Sequence, residues 1–111
     1  MFSINKLDKA FENRVRLGIM SVLTGSGQSD FNTLKSMLGV SDGNLASHIR
    51  ALEDLGYIES IKKFIGRKPN TSYIITNSGD IAFRKHIKAL IDLIDNNGKE
   101  LLSCVNQYIR Q

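Results

Sequence analysis

The sequence predicts a mainly α-helical domain that carries one small β-hairpin. Apolar residues recur every three or four positions along most of the chain, which is the spacing of helices with one buried face. Residues 57–75 differ, because they are rich in aromatic and β-branched types and are divided by a loop that contains the only proline. The length of 111 residues fits one compact domain, and 41% hydrophobic with 23% charged residues is typical of a globular protein.

The first predicted helical segment is an apolar stripe that ends in a loop. Asn13 can cap a helix start that divides this stripe into a short helix and a longer one. A glycine- and serine-rich loop is predicted at residues 24–27. The stripe consists of Leu7, Phe11, Val15, Ile19 and Val22.

A helix-turn-helix is predicted directly after this loop. A short second helix, capped by Asp30 or Asn32, ends at Gly39. The third helix begins after Ser41, runs from residue 42 to about residue 55, and ends at Gly56. Two helices joined by a short turn that contains glycine are typical of the helix-turn-helix.

A basic β-hairpin follows the third helix. Strands at residues 57–64 and 71–75 flank a loop at residues 65–70. The chain has a net charge of +4, and residues 60–79 contain no acidic residue. The cations in that stretch are Lys62, Lys63, Arg67 and Lys68. Three helices followed by a basic hairpin form a winged helix-turn-helix, in which the hairpin is the wing.

Two C-terminal helices complete the predicted order. Thr76 caps a long helix at residues 77–95, Asn96-Asn97-Gly98 ends it, and an amphipathic helix follows. We expect one domain at residues 1–96, which includes a dimerising helix, and a C-terminal amphipathic helix at residues 97–111. These helices carry more apolar surface than a small monomer covers, so a homodimer is expected.

The third helix supplies the first set of candidate DNA contacts. The major groove of B-DNA admits one α-helix, whose N-terminal part meets the base edges. Asn44 can pair with adenine, Ser47 can reach a base or a phosphate, and Arg50 suits phosphate or guanine. Ser41 and His48 have structural alternatives: Ser41 can serve only as the helix cap, and His48 can be a half-buried packing residue.

The wing supplies the second set. Arg67 and Lys68 lie on a loop with glycine and proline, from which they can follow phosphates or enter a minor groove. Lys62 and Lys63 occupy neighbouring strand positions, so only one of them should share the side that faces DNA. The alternative is that these cations are solvated charges on an exposed hairpin.

Several other classes of function are not indicated. The chain has no catalytic or nucleotide-binding motif, so neither an enzyme nor a cofactor is expected. Cys104 is the only cysteine, which excludes an intrachain disulfide and a thiolate metal cluster. No apolar run is long enough to span a bilayer, and residues 1–6 do not resemble a secretion signal, so a cytoplasmic protein is expected.

Three segments resemble the winged-helix DNA-binding family related to MarR-like and ArsR-like transcription regulators. They are LGVSDGNLASHIRALE at residues 38–53, GYI at residues 56–58 and FIGRKPNTSY at residues 64–73. The resemblance implies a prokaryotic regulator that binds double-stranded DNA as a homodimer. It implies that residues 41–50 occupy the major groove and that residues 66–71, with Thr71, form the wing.

Two alternatives stay open at this point. Winged helices also serve as protein–protein modules of larger transcription or replication assemblies, and such a module would bind a protein without salt dependence and would not bind DNA. A regulator with a small-molecule effector between its dimer helices is the other alternative, although nothing in the sequence identifies a ligand.

Overall fold

A computed structural model describes the backbone of residues 4–110 and the side chains of residues 4–95. Two short 3-10 turns, Ile4–Lys6 and Lys9–Phe11, precede three helices. Helix α1 spans Arg14–Ser26, α2 spans Phe31–Leu38, and α3 spans Asp42–Asp54.

The helix starts follow the predicted capping residues. The Asn13 side chain accepts hydrogen bonds from the amides of Val15 and Arg16 at the start of α1. Asp30 rather than Asn32 caps α2, since its carboxylate accepts the Thr33 amide at 2.7 Å. The loop predicted at residues 24–27 is shorter than expected, because α1 continues to Ser26 and ends at Gly27.

The sheet has three antiparallel strands, one more than the hairpin predicted. Strand β1 spans Gln28–Asp30, β2 spans Ile58–Ile65 and β3 spans Lys68–Ile75, in the order β1-β3-β2. Sequence patterns do not reveal β1, because three polar residues have neither alternation nor β-propensity. The loop predicted at residues 65–70 is in fact a two-residue turn that consists of Gly66 and Arg67.

Helix α4 spans Asn77–Arg110 without interruption, so the helix end predicted at Asn96-Asn97-Gly98 is wrong. A glycine within a helix costs only about 1 kcal/mol relative to alanine. No proline is present here, and residues 99–102 (KELL) are good helix formers, which compensate for that cost. The side chains of the predicted last amphipathic helix, and Cys104, lie outside the described residues.

The core lies between α1, α3, the base of the sheet and the first turns of α4. Asp8 joins the second 3-10 turn, the residue before β2 and α4: its carboxylate accepts the Ala10 amide and the Tyr57 hydroxyl, both at 2.9 Å, and its own amide donates to Nδ1 of His86 at 3.0 Å. The ring of Phe11 contacts Tyr57, Phe83 and His86 at centroid distances of 5.5, 5.4 and 5.3 Å. The base of α4 is therefore fixed to the start of β2.

The junction between the wing and α4 depends on Thr76 and Gly79. The Thr76 hydroxyl donates to the Gly56 carbonyl at 2.6 Å and accepts the Gly79 amide at 2.9 Å, which caps α4. A Cβ at Gly79 would overlap the carbonyl oxygen of Tyr57. Glycine is thus required for the close approach of α4 to the chain segment before β2.

Candidate nucleic-acid interface

The outer face of α3 presents small and polar side chains to solvent. Ser41, Asn44, Ser47 and Arg50, four of the predicted contacts, are all exposed. The opposite face is buried and consists of Leu45, Ile49 and Leu52. Because most of the exposed side chains are short, the backbone of α3 can come close to a groove floor.

The start of α3 is fixed by a cap and an ion pair. Ser41 accepts the Asn44 amide through its hydroxyl at 3.3 Å, so the predicted local role of Ser41 is present. Lys35 of α2 lies 2.7 Å from the carboxylate of Asp42. This pair is largely exposed and contributes little stability. Its effect is electrostatic, because a cation sits beside the one carboxylate in the first turn of α3.

His48 is half-buried and has an internal partner. The Arg16 guanidinium donates from Nε to Nδ1 of His48 at 3.1 Å, which requires a neutral imidazole. Burial, and then the positive charge of Arg16, lower the pKa of His48. The contact between Arg16 and His48 thus joins α1 to α3.

The cations of the wing lie on both faces of the hairpin and in its two-residue turn. Gly66 has a φ of 66° and Arg67 has a negative φ, which is the pattern of a type II′ hairpin turn. Arg67 is in the turn, whereas Lys68 is the first residue of β3 rather than part of a loop. Lys62 lies opposite Thr71 and on the same face as the buried Ile58.

Strand β1, which the sequence patterns did not predict, connects the wing to α2. Asp30 is the last residue of β1, which pairs with β3 of the wing, and it is also the cap of α2. Its hydrogen bonding with Thr33 lowers the pKa of Asp30. The wing is therefore connected to the helix-turn-helix through the pairing of β1 with β3.

The family model for the winged helix DNA-binding domain matches residues 15–94, which include α1, α2, α3, the wing and the first half of α4. The chain belongs to this winged helix DNA-binding family. The predicted resemblance and fold are thus confirmed, and the family consists of DNA-binding domains rather than enzymes.

Relatives of this winged helix domain include archaeal proteins. An uncharacterised protein of Methanocaldococcus jannaschii is 38% identical over 88 residues, which cover 79% of this chain and 96% of the relative. A transcriptional regulator homologue of Pyrococcus horikoshii has 34% identity and a TM-score of 0.75, with 80% of this chain and 88% of the other covered. A protein of Bacillus cereus described as a MarR-like transcription regulator shares the fold, with 22% identity, a TM-score of 0.65 and coverage of 95% and 81%.

Contacts between elements of the winged helix domain were not predicted. The contact between Arg16 and His48 joins residues 32 positions apart, so no local pattern identifies it. For Lys35 and Asp42 a weak signal exists, since opposite charges flank the short turn between two adjacent helices.

Two further observations concern only the described residues. None of their helices combines the length and the apolar character required to cross a membrane. No three His, Cys, Asp or Glu side chains among them are grouped as metal ligands.

Proposed function

We propose that this protein is a sequence-specific transcription regulator that binds double-stranded DNA as a homodimer and acts in the cytoplasm. The observation that carries the proposal is the pairing of an exposed, small and polar face on α3 with an acid-free basic wing. A helix with such a face fits the major groove, which is about 12 Å wide. The wing would then contact the adjacent backbone or minor groove.

The proposed contacts divide into two groups. Asn44 and Ser47 would read base edges, with Arg50 on guanine or phosphate. Ser41 and His48 would contact phosphate at the groove edge, where the neutral His48 donates from Nε2, since its Nδ1 accepts from Arg16. The wing group, Arg67, Lys68 and Thr71, would hold phosphates and fix the orientation of the domain.

The dimer is proposed from the change in burial along α4. Phe83 is buried near the start of the helix, whereas Ile91 and Ile94 are 45% and 38% exposed. The apolar stripe therefore leaves the core of its own subunit and continues into solvent. A second copy that packs against this stripe with twofold symmetry would cover it.

Selection of DNA from a pool of duplexes with a randomised central segment tests the proposal. The expected product is a pseudo-palindrome with half-sites about one helical turn, ~34–36 Å, apart. Circular dichroism is the control, because it shows whether the protein is a folded helical domain. If the folded protein enriches no sequence from the pool, the proposed function is wrong. A salt-insensitive affinity for another protein would then favour a protein–protein module.

A further inference from the structure

The tip of the wing carries two apolar side chains that nothing in the described part of the chain covers. Phe64 is 76% exposed and Ile65 is 66% exposed. Strand β1 pairs only with Ser72, Tyr73 and Ile74, so the tip extends beyond it as a two-stranded ribbon. Burial of such a phenylalanine side chain against a partner would be favourable.

The charges around this tip identify the kind of partner. Lys62, Lys63, Arg67 and Lys68 surround Phe64 and Ile65 along the ribbon, and no acidic residue lies between residues 60 and 79. None of these four cations has an ion pair within residues 4–95. A polyanion is therefore the complementary surface for the whole tip.

The strand register distinguishes the two apolar side chains. Alternation places Phe64 on the same face of β2 as Ile58 and Lys62, and Ile65 on the opposite face. Ile58 belongs to the same buried core as Leu45, Ile49 and Leu52 of α3, and β2 contacts α3. Phe64 is thus on the side of the wing that α3 occupies, whereas Ile65 is on the other side.

The ribbon holds Phe64 in a defined position. Phe64 lies opposite Pro69, and the two-residue turn with Gly66 closes the hairpin only two positions away. Proline has a fixed φ and no amide proton, so it restricts β3 at the position facing Phe64. A side chain that separates stacked bases has to be held rigidly, and the paired strands hold Phe64 in this way.

We infer that Phe64 enters the minor groove beside the site of α3 and partly unstacks one base step, while Lys62 on the same face and Arg67 and Lys68 at the turn bind the flanking phosphates. Apolar wedges of this kind kink DNA by roughly 20–90°. Pyrimidine–purine steps unstack most easily, so the inferred target is such a step in the flank of the half-site. The inference rests on the proposed function, since it requires that the domain binds duplex DNA.

The experiment uses the full chain and the duplex selected from the random pool. 2-Aminopurine replaces adenine at each position of the flank in turn, and donor and acceptor dyes at the two ends report the bend. The variants are Phe64→Ala, Phe64→Leu as an apolar wedge, and Ile65→Ala as a matched control of similar exposure on the other face. Circular dichroism establishes that each variant folds like the wild type, and sedimentation measures its assembly.

Wild-type protein and Phe64→Leu are expected to raise 2-aminopurine fluorescence at one pyrimidine–purine step and to bend the duplex. Phe64→Ala should lose both signals and weaken affinity roughly tenfold, as removal of one aromatic–base stack does, whereas Ile65→Ala should keep both signals. Wild-type protein that binds the selected duplex without unstacking any base would overturn the wedge and leave the proposed function intact. Loss of the dimer in Phe64→Ala, with unchanged DNA signals, would show that the tip binds a second copy instead. A pool without enrichment would overturn the proposed function itself.

Discussion

The exposed side chains of α3 differ in reach, and this difference decides which groups on DNA each one can contact. Ser41 is held in the helix cap, so its hydroxyl stays at the helix end. Asn44 and Ser47 are short and lie one turn apart, which suits the floor of a groove. Arg50 is long enough to reach either a base or the backbone.

We predict that Asn44→Ala and Ser47→Ala reduce discrimination more than affinity. A lost bidentate contact between asparagine and adenine costs about 1–3 kcal/mol on the correct site. Binding to random DNA should change little, because phosphate charges supply it. Fluorescence anisotropy on the selected and a scrambled duplex measures both quantities. The control is Ser21→Ala, an exposed serine on α1, and unchanged discrimination in both α3 variants would show that α3 does not read the sequence.

A second prediction at this scale concerns the stability of the fold below neutral pH. The pKa of His48 is lowered by burial and by Arg16, whereas the unfolded chain titrates near the ordinary value of 6.5. As pH falls below 6.5, the unfolded state therefore takes up the proton first, and the free energy of unfolding decreases. Above 6.5 the contribution of His48 is fully retained.

Urea unfolding at several pH values between 7.5 and 5 measures this effect. Wild-type protein should lose more stability over this range than His48→Gln, whose side chain has no proton to take up and can still accept from Arg16. Asp30 does not interfere, because its pKa is lowered from 3.8 and its stabilisation is lost only at lower pH. Equal slopes for the two proteins would contradict the role assigned to the Arg16–His48 contact.

Contacts between residues that are close in sequence could be predicted, whereas contacts between distant residues could not. The caps Asn13, Asp30 and Ser41 are recognisable, because each one satisfies amides only two or three residues away. The partner of Arg16 is not recognisable, since His48 lies 32 positions further along the chain.

At the scale of elements, the wing was predictable as a hairpin but not in its boundaries. Gly66 and Pro69 indicate a loop in the sequence, yet Pro69 lies within β3. It is tolerated there because β1 pairs with β3 only at Ser72, Tyr73 and Ile74, which leaves the other edge of β3 free at the tip. Strand β1 forms because it pairs with β3, since its own three residues do not favour a strand.

The wing gives a prediction on salt dependence. In the proposed dimer, replacing Arg67 and Lys68 with alanine in both subunits would remove up to four phosphate contacts. The slope of log affinity against log salt should then become shallower by about 2–4. Stability should change by only about 0.5 kcal/mol, because both side chains are exposed.

The matched control for the wing is the double variant Lys85→Ala and Lys88→Ala, which removes the same charge from α4. It should leave the slope nearly unchanged. If Arg67 enters the minor groove, the loss should be larger on A·T-rich flanks, whose narrow groove has the stronger negative potential. Equal slopes for wild type and the wing variant, with equal melting temperatures, would show that the wing does not touch DNA.

The start of α4 gives a prediction on stability. Gly79→Ala places a Cβ against the Tyr57 carbonyl oxygen, a backbone atom that cannot move aside alone. The expected destabilisation is about 1–3 kcal/mol or more. Gly25→Ala is the control, since no atom lies within 4 Å of its added Cβ and alanine favours the helix by up to about 1 kcal/mol. Thermal unfolding compares the two, and a Gly79→Ala variant as stable as wild type would contradict the close packing described for this junction.

At the scale of the whole molecule, the long axis is set by α4. At 1.5 Å per residue, its 34 residues extend for about 51 Å, and the longest dimension of the molecule is 54 Å. The sequence predicted the apolar stripe of this helix, although it also predicted a break that the backbone does not have. A single glycine and two asparagines are too weak to end a helix flanked by good helix formers.

We predict that deletion of residues 98–111 weakens the dimer and preserves the fold of the subunit. The core residues identified in the structure all precede residue 90, so the truncated chain keeps them. Sedimentation should show a dimer for the full chain at micromolar concentration and a shift towards monomer after truncation. Circular dichroism serves as the control for folding. A truncated protein that dimerises unchanged would place the interface on another surface.

Helix α4 starts where the wing ends, and this arrangement gives it the mechanics of a lever. Its pivot is the contact between residues 76–79 and the Tyr57 carbonyl, and its arm is about 51 Å long. A tilt of about 5° at the pivot displaces the far end by about 4 Å. In the proposed dimer, if the subunits are joined along α4, the same tilt would move the two α3 helices relative to each other, while the helical repeat of DNA stays fixed. A small rearrangement at the pivot would therefore change which half-site spacing the pair fits.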